Sequence, residues 1–325
     1  MKFCIFGGGS IGGLLAGGLK KVGRDVSVVA RGAHMEAIRK HGLTLINPNG
    51  EEEIFQLECT DDTHKLGVQD FLFITVKSPA LLPSLDEIKP LIGKKTSIIT
   101  CMNGIPHWYF YKIGNKFQNT RIKCLDPNNV IDKVLDPENI IGSVVYPAST
   151  IVKPGIIKHI NGNRFSLGEP SGLATERLTF ISTALKEAGF KAPIQMNIRD
   201  EIWLKLIGNL SFNPISALTG ATLEEICNDQ GTKKIVREMM LEAKLIAEKL
   251  GAKISISIER RIDGARKVGA HKTSMLQDIE AKKPIEIDSI LFAVKELGNL
   301  AGVNSPQIDT ISNLISQKAK LLGCL

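Results

Sequence analysis

The first 196 residues alternate between short apolar runs and segments whose apolar residues recur at helical spacing. Residues 71–76 form a continuous run of β-forming residues, which is typical of a buried parallel strand. The dipeptide Asn49-Gly50 between two apolar runs predicts a hairpin within 42–56. Further strands are predicted at 2–6, 25–30, 97–100, 142–150, 155–160, 164–167 and 191–195, and helices at 13–22, 34–41 and 176–189. This alternation predicts an α/β fold built on a Rossmann-type doubly wound sheet.

After residue 196 the pattern changes, because the apolar residues recur almost only at helical spacing. Helices are predicted at 198–218, 231–250, 259–268, 272–281, 286–300 and 306–321. Residues 253–257 look like a short strand, and the sequence gives them no clear place in the fold. We therefore expect an α/β domain over residues 1–196, followed by an all-helical C-terminal domain over residues 197–325.

A glycine-rich sequence connects the first predicted strand to the first predicted helix. Its pattern is G-x-G-x-x-G, and in the order strand, glycines, helix it is the fingerprint of a dinucleotide-binding turn. The first glycine permits the tight turn, the second lets the backbone approach a pyrophosphate, and the third lets helix and strand pack closely. A purely structural glycine turn is the alternative. The residues predicted to bind the cofactor here are Gly7, Gly8, Gly9, Ser10, Ile11 and Gly12.

The end of the second predicted strand indicates which dinucleotide is bound. NAD-binding proteins usually place Asp or Glu there to hold the ribose 2′-hydroxyl. This chain has Arg31 instead, and its first acid afterwards is Glu36. An arginine pairs well with a 2′-phosphate, so residues 1–196 are predicted to bind NADP(H). The alternative is that Arg31 is a solvated loop residue.

Composition narrows the classes of partner and compartment. Lys and Arg number 41 against 34 Asp and Glu, a formal charge of +7 that favours an anionic partner. Only 5% of residues are aromatic and no recognition module is present, which argues against nucleic acid. The uncharged run 3–19 resembles a signal peptide, but seven of its residues are glycine and Lys20 follows it, so neither secretion nor a membrane partner is expected.

The cysteines and histidines give no indication of a metal site. The six cysteines are scattered, no Cys-x-x-Cys occurs, and no His-x-x-x-His pair is present, so we expect no bound metal. Unpaired cysteines of this kind suit a reducing compartment, which predicts a cytoplasmic protein. The sequence leaves the oligomeric state open, a homodimer included.

Several polar residues stand where chemistry could occur. Lys77 and Asn103 follow predicted strands, where α/β sheets bind ligands, although each could be an ordinary turn residue. Lys205, Asn209 and Asn213 recur at i, i+4 and i+8 among apolar residues and so share one face of a largely buried helix. The alternatives are a solvated face for the stripe and a capped kink for Asn213, which precedes a proline.

A third candidate region covers residues 274–288. Its simplest interpretation places Asp278 and Glu280 on a helix face, with Glu286 and Asp288 in the first turn of the next helix, where acids favour the helix dipole. On periodicity alone this structural interpretation is preferred to a functional one.

Three separated motifs together resemble the ketopantoate reductases (2-dehydropantoate 2-reductases). They are the glycine sequence at residues 7–12, the Lys-x-x-x-Asn-x-x-x-Asn face at 205–213, and Ser-Met-Leu-Gln-Asp at 274–278 followed by a glutamate. The resemblance covers most of the chain. It implies a Rossmann-type domain, a helical substrate-binding and catalytic domain, and NADPH-dependent reduction of 2-dehydropantoate, a 2-oxo acid, to pantoate on the way to pantothenate and coenzyme A.

The resemblance also implies roles for individual residues. Lys205 matches the family's catalytic lysine, which would donate a proton to the carbonyl oxygen as hydride arrives from the nicotinamide. Glu286 matches the glutamate that hydrogen-bonds the substrate, and we count it with Lys205 as catalytic. The expected substrate-binding residues are Asn103, Lys205, Asn209, Asn213, Ser274 and Glu286, and the expected cofactor-binding residues outside the glycine sequence are Arg31, Lys77 and Asn103.

Residues 106–140 depart from a compact member of this family, since they are longer and rich in aromatic and acidic residues. They follow Asn103 directly and so could reshape the substrate pocket. Two alternatives to ketopantoate reduction therefore stay open. One is an NADPH-dependent reductase of a different 2-oxo acid with the same site, and the other is an NADPH-binding sensor without turnover.

Overall fold

The computed structural model describes residues 1–325, which form two compact units. Unit 1 comprises residues Met1–Met102 and Val130–Ile198, and unit 2 comprises Asn103–Asn129 and Arg199–Leu325. The second crossing, between residues 198 and 199, lies close to the predicted boundary. Residues 103–129 differ from the prediction. In the sequence they lie between the two segments of unit 1, but they pack with unit 2. Their aromatic residues explain this, since Trp108, Tyr109 and Phe110 are buried there.

Unit 1 contains every strand of the chain and six helices. Its strands are β1 (Lys2–Phe6), β2 (Asp25–Val29), β3 (Leu43–Ile46), β4 (Glu52–Phe55), β5 (Glu58–Thr60), β6 (Phe71–Ile74), β7 (Ser97–Thr100), β8 (Ile140–Val145), β9 (Ala148–Lys153), β10 (Ile156–Asn161) and β11 (Phe165–Gly168). Its helices are α1 (Ser10–Lys21), α2 (Gly32–His41), α3 (Ser78–Leu81), α4 (Leu85–Ile88), α5 (Ile131–Val134) and α6 (Glu176–Glu187).

The main sheet has the order β11-β8-β7-β6-β1-β2-β5. All its neighbouring strands are parallel except β11, which runs antiparallel to β8. Phe6 at the end of β1 is in register with Val29 of β2 and Ile74 of β6. The loops that follow these three strands therefore leave the sheet at the same edge. At the opposite end of the strands, where β1 and β6 begin, the rings of Phe3 and Phe71 stack with that of Phe180.

A second sheet of four strands, in the order β4-β3-β10-β9, completes unit 1. Strands β3 and β4 pair antiparallel, which confirms the hairpin predicted from Asn49-Gly50. Strand β10 pairs parallel with β3 and antiparallel with β9. The local patterns predicted β3, β4 and β10, but the single strand predicted at 142–150 is wrong, because the structure has β8 and β9 there, in different sheets. The separation from the main sheet was not predicted, because pairing depends on contacts distant in sequence.

The strand predicted at 191–195 is wrong. Only two isolated bridges form there, Arg164 with Lys191 and Leu167 with Ile194. Pro193 lies between them and has no N–H to donate to a ladder, so a continuous strand cannot form.

Unit 2 is helical, and its core is formed by amphipathic helices. Its helices are α7 (Ile198–Thr219), which begins at the boundary of unit 1, α8 (Leu223–Asn228), α9 (Gln230–Lys249), α10 (Ile258–Lys267), α11 (Ser274–Glu280), α12 (Ala293–Ala301) and α13 (Pro306–Leu322). A π-helical turn, Asp288–Phe292, leads directly into α12. The sequence did not predict α8, and residues 253–257 form neither strand nor helix. None of the helices combines the length and apolarity needed to cross a membrane.

Helix α7 is the central element for the site, and two features define it. Pro214 lies inside the helix, so one backbone hydrogen bond is missing there. At its far end, the Lys318 Nζ donates to the carbonyl oxygens of Ala217 and Leu218 at 2.7 and 3.0 Å. This ammonium satisfies acceptors that a helix C-terminus leaves without intrahelical partners.

Candidate active site

The glycine loop between β1 and α1 takes the geometry that the fingerprint predicts. Gly7 has φ +108°, a conformation that side chains with a Cβ rarely adopt. The N–H groups of Gly7 and Gly8 both donate to the carbonyl oxygen of Val29, at 3.1 and 2.8 Å. A Cβ at Gly12 would lie 2.0 Å from the Gly7 oxygen, so only glycine lets α1 pack this close to the turn. The loop is therefore fixed against β2 and against its own helix.

Gly9 is the open point of this loop. A Cβ added there would meet nothing within 4 Å, unlike one at Gly7, Gly8 or Gly12. Gly9 is also the N-cap of α1, and the first turn of that helix contains no acidic residue. The N–H groups at a helix N-terminus lack intrahelical acceptors and carry partial positive charge. The residues thus fit a pyrophosphate, which needs exposed backbone donors and no side chain in its path.

Two anchoring residues of this loop were missed by the sequence analysis. The Thr75 hydroxyl donates to the carbonyl oxygen of Gly7 at 2.6 Å. The His34 Nε2 lies 2.8 Å from the Gly8 oxygen, and its Nδ1 accepts from the N–H of Gly155 at 3.0 Å. Because Nδ1 accepts, Nε2 must carry the proton and donate. Burial lowers the pKa of His34, which favours this neutral form. Thr75 could have been noticed as a polar residue in an apolar run, but no local signal marks His34.

Arg31 and Lys77 extend from the same sheet edge. Arg31 follows β2 and is the N-cap of α2, and its Nη2 donates to both carboxylate oxygens of Glu87 at 2.6 and 2.5 Å. This pair is largely exposed, so it contributes little to stability and its guanidinium can exchange partners. Lys77 is held near the glycine loop through its neighbour, because a Cβ at Gly7 would lie 2.8 Å from Val76 Cγ1. Both residues keep the positions that the sequence predicted for them.

Unit 2 brings three predicted residues into one hydrogen-bonded row. The Lys205 Nζ donates to Asn103 Oδ1 at 2.6 Å, and Asn103 Nδ2 donates to Glu286 Oε2 at 2.9 Å. The amide thus turns its oxygen to the ammonium and its NH2 to the carboxylate, as the charges require. Glu286 is buried, whereas Lys205 and Asn103 are partly exposed. This Lys205–Asn103–Glu286 row places a proton donor and an acceptor on either side of a neutral amide.

Close backbone packing explains why Asn103 is followed by glycine. Gly104 has φ +86°, and a Cβ there would lie 2.4 Å from the carbonyl oxygen of Ser289. The next residue, Ile105, donates its N–H to that same oxygen at 2.8 Å. Ser289 belongs to the π-helical turn that begins at Asp288, and it lies three positions beyond Glu286. Because π-turns are rare and occur frequently at functional sites, the turn is consistent with a role in presenting Glu286.

The rest of the predicted polar face lies along α7. Asn209 is one turn beyond Lys205 and partly exposed, and Asn213 is two turns beyond and only 5% exposed. The Asn213 Nδ2 is buried and has no hydrogen-bond partner. A buried donor without a partner is costly, and a ligand with an acceptor group would remove that cost. The face is therefore not the solvated surface that periodicity alone left open.

The third candidate region divides between the two interpretations. Ser274 opens α11 and is exposed, and no hydrogen bond joins it, Asn209 or Asn213 to the Lys205–Asn103–Glu286 row. Glu280 is an exposed helix residue that pairs with Lys272, as the structural interpretation expects. Asp278 and Glu286 are instead buried. Burial also raises the pKa of Asp288, so this acid differs from an ordinary helix-dipole residue.

The segment 103–129 anchors the helix that carries Lys205. The Arg199 guanidinium donates to the carbonyl oxygens of Tyr109 and Tyr111 at 2.7 and 2.5 Å. The Trp203 Nε1 donates to the Tyr109 hydroxyl at 2.7 Å, and burial raises the pKa of Tyr109 to about 12, so this phenol stays neutral. The aromatic sequence after Asn103, which looked like an unexplained insertion, thus fixes the first turns of α7.

Two family models match this chain. The model described as ketopantoate reductase PanE/ApbA matches residues 3–172, and its C-terminal counterpart matches residues 197–319. The chain belongs to the ketopantoate reductase PanE/ApbA family. This confirms the family and the fold class, a parallel α/β sheet followed by an all-helical region, that the motifs predicted.

Individual relatives of the ketopantoate reductase family agree over the full length. The 2-dehydropantoate 2-reductase of Mesorhizobium japonicum is 49% identical over 325 residues, covering 100% of this chain and 99% of the relative. A crystal structure assigned as a ketopantoate reductase from Ralstonia solanacearum MolK2 superposes with TM-score 0.95 at 38% identity, covering 100% and 99%. A D-mandelate dehydrogenase solved with NADH and anilino(oxo)acetate has TM-score 0.85 at 23% identity over 100% of both chains and shares the fold.

Proposed function

We propose that this chain reduces 2-dehydropantoate to pantoate with NADPH. The observation that carries the proposal is the Lys205–Asn103–Glu286 row, in which a partly exposed ammonium and a buried carboxylate share one amide. The full-length similarity to a 2-dehydropantoate 2-reductase supports the same substrate. The substrate is a 2-oxo acid with a hydroxyl group at C4, so it offers an acceptor to Lys205 and a donor to Glu286.

In this proposal the residues of unit 2 act on the substrate. Lys205 donates a proton from Nζ to the C2 carbonyl oxygen, which becomes a hydroxyl group; a positioned donor stabilises the negative charge that develops there. Asn103 orients the ammonium through its Oδ1. Glu286 accepts a hydrogen bond from the C4 hydroxyl, and Asn209, Asn213 and Ser274 contact the remaining substrate atoms. The unpartnered amide of Asn213 then gains an acceptor.

The residues of unit 1 hold the cofactor. NADPH supplies the hydride from C4 of the nicotinamide when it is bound. The loop from Gly7 to Gly12 receives the pyrophosphate at the start of α1, where Gly9 leaves room. Arg31 and Lys77 bind the phosphate of the adenosine ribose and the pyrophosphate. Asn103 of unit 2, which we also assign to the substrate, is the remaining residue that we assign to the cofactor.

A pair of matched substrates tests the proposed function. The compound 3,3-dimethyl-2-oxobutanoate differs from 2-dehydropantoate only by lacking the C4 hydroxyl. We expect kcat/KM, followed by NADPH oxidation, to be about 10- to 100-fold higher for 2-dehydropantoate, the range that one hydrogen bond to a charged group supplies. In Glu286→Gln this ratio should fall toward one. Turnover of phenylglyoxylate or another 2-oxo acid in preference to 2-dehydropantoate would instead support a reductase of different specificity, and no turnover of any 2-oxo acid would support a sensor.

The preference for NADPH over NADH is tested at Arg31. We expect Arg31→Ala to raise the Kd of NADPH about 10- to 100-fold and to change that of NADH less than about threefold, because only NADPH carries the 2′-phosphate. Glu87→Ala, which frees the guanidinium, should tighten NADPH up to about fivefold. Arg39→Ala is the matched control, as Arg39 is an exposed arginine on the same helix. Equal weakening of both cofactors in Arg31→Ala would make Arg31 a structural residue.

A further inference from the structure

The guanidinium of Arg261 lies directly on the bare backbone of Gly208 in α7. A Cβ at Gly208 would be 2.6 Å from Arg261 Nη2, 3.0 Å from Nε and 3.2 Å from Cζ. The whole planar group therefore occupies the space that a side chain at position 208 would fill. Glycine inside a helix costs about 0.5–1 kcal/mol relative to alanine, so here the gap accommodates a specific contact at the expense of helix stability.

This contact is adjacent to the proposed proton donor. Gly208 is three residues after Lys205, and residues three apart are neighbours on the surface of a helix. The Arg261 Nη2 also lies 3.5 Å from the carbonyl oxygen of Lys205. Arg261 itself is partly exposed.

The other basic residues of α10 (Ile258–Lys267) do not share this arrangement. Arg260 and Lys267 are exposed, and Arg266 pairs with Asp263 and donates to the Cys227 carbonyl oxygen. Arg261 thus differs from the other basic residues of α10 because its guanidinium packs against α7 at Gly208.

The charges of the proposed substrate site call for a cation at this position. In a 2-oxo acid the carboxylate carbon is bonded directly to the carbonyl carbon, so the carboxylate must lie close to Lys205. The ammonium of Lys205 is assigned to the carbonyl oxygen, Asn103, Asn209 and Asn213 are neutral, and Glu286 is an acid. An arginine beside Lys205 supplies the missing positive charge, and its planar donor pair matches a carboxylate.

We propose that Arg261 binds the carboxylate of the 2-oxo acid and selects acids over neutral oxo compounds, with Gly208 providing the space that it needs. This inference rests on the proposed function, in which Lys205 faces the carbonyl group. Arg261 contributes through substrate binding, so its loss acts on KM more than on kcat.

The test compares an acid with its neutral ester. We expect Arg261→Gln to raise KM for 3,3-dimethyl-2-oxobutanoate about 10- to 100-fold, and to change kcat/KM for its methyl ester less than about threefold. Arg261→Lys, which keeps the charge without the planar donor pair, should lie between the wild type and Arg261→Gln. Arg260→Ala is the matched control on the same helix, and it should leave both compounds unaffected.

Gly208→Ala provides a second, independent variant. The added methyl group displaces the guanidinium but favours the helix, so we expect KM for the acid to rise while the melting temperature is kept. Combined with Arg261→Gln it should add little, because both changes remove one interaction. Additive effects, or equal losses for acid and ester, would overturn the proposal.

Calorimetric binding of pantoate separates this inference from the proposed function. Arg261→Gln should weaken pantoate binding about as much as it raises KM, whether or not the wild type turns over 2-dehydropantoate. Unchanged pantoate affinity in Arg261→Gln would refute the role of Arg261 alone. Absence of turnover in the wild type, with pantoate bound through Arg261, would refute the proposed reaction alone.

Discussion

Replacing Lys205 with alanine should lower kcat for 2-dehydropantoate by about two to four orders of magnitude, the range that a positioned general acid supplies. The carbonyl oxygen would lose its proton donor at the moment when negative charge develops on it. Binding of NADPH should change little, since the glycine loop, His34 and Arg31 all belong to unit 1. Steady-state kinetics and a fluorescence titration of NADPH measure the two effects separately.

Two further variants make the Lys205 result specific. Lys205→Arg keeps the positive charge but replaces the ammonium by a group that does not give up its proton, so it should recover binding and little of kcat. Lys234→Ala removes an exposed lysine from α9 of the same unit and should behave as the wild type. Near-normal turnover in Lys205→Ala would show that another group, or water, donates the proton.

The sequence predicted which residues belong to the site, but it did not predict most of the contacts between them. Lys205, Asn209 and Asn213 share a helical face because a spacing of four residues fixes that geometry locally. Their relation to Asn103 and Glu286 depends on the contact of Gly104 with Ser289, which joins residues 185 positions apart. No periodicity reports such a contact. It was the resemblance to a family, and not the pattern, that assigned Asn103 and Glu286 to one site.

The assignment of residues 103–129 to unit 2 could not be predicted from local patterns either. The local pattern of this segment gave no reason to separate it from the α/β half, yet its buried aromatic residues pack with α7. The hydrogen bonds of Arg199 to Tyr109 and Tyr111 use backbone oxygens, which any sequence possesses. The contact of Arg261 with α7 was not predicted for a related reason, because its guanidinium occupies the space left by the missing side chain at Gly208. The glycine inside the helical pattern of α7 is the local signal of such a contact.

Gly9 and Gly12 allow one chemical change to separate function from folding. We expect Gly9→Ala to raise the Kd of NADPH about 100-fold, as the loss of one or two charge-assisted hydrogen bonds to a phosphate does. The added methyl group meets no protein atom within 4 Å, so the melting temperature should stay within about 2 °C of the wild type. The methyl group would instead contact the pyrophosphate of NADPH, which would then have to lie farther from the backbone donors of α1.

In Gly12→Ala the same methyl group would lie 2.0 Å from the Gly7 oxygen. Overpacking of this kind costs about 1–3 kcal/mol, which should lower the melting temperature by roughly 3–10 °C. Cofactor binding should also fall, but as a consequence of the displaced turn. Thermal melts without ligand, paired with NADPH titrations, distinguish the two variants. If Gly9→Ala bound NADPH as tightly as the wild type, the pyrophosphate would not approach this loop at Gly9, and the cofactor assignment for unit 1 would have to be revised.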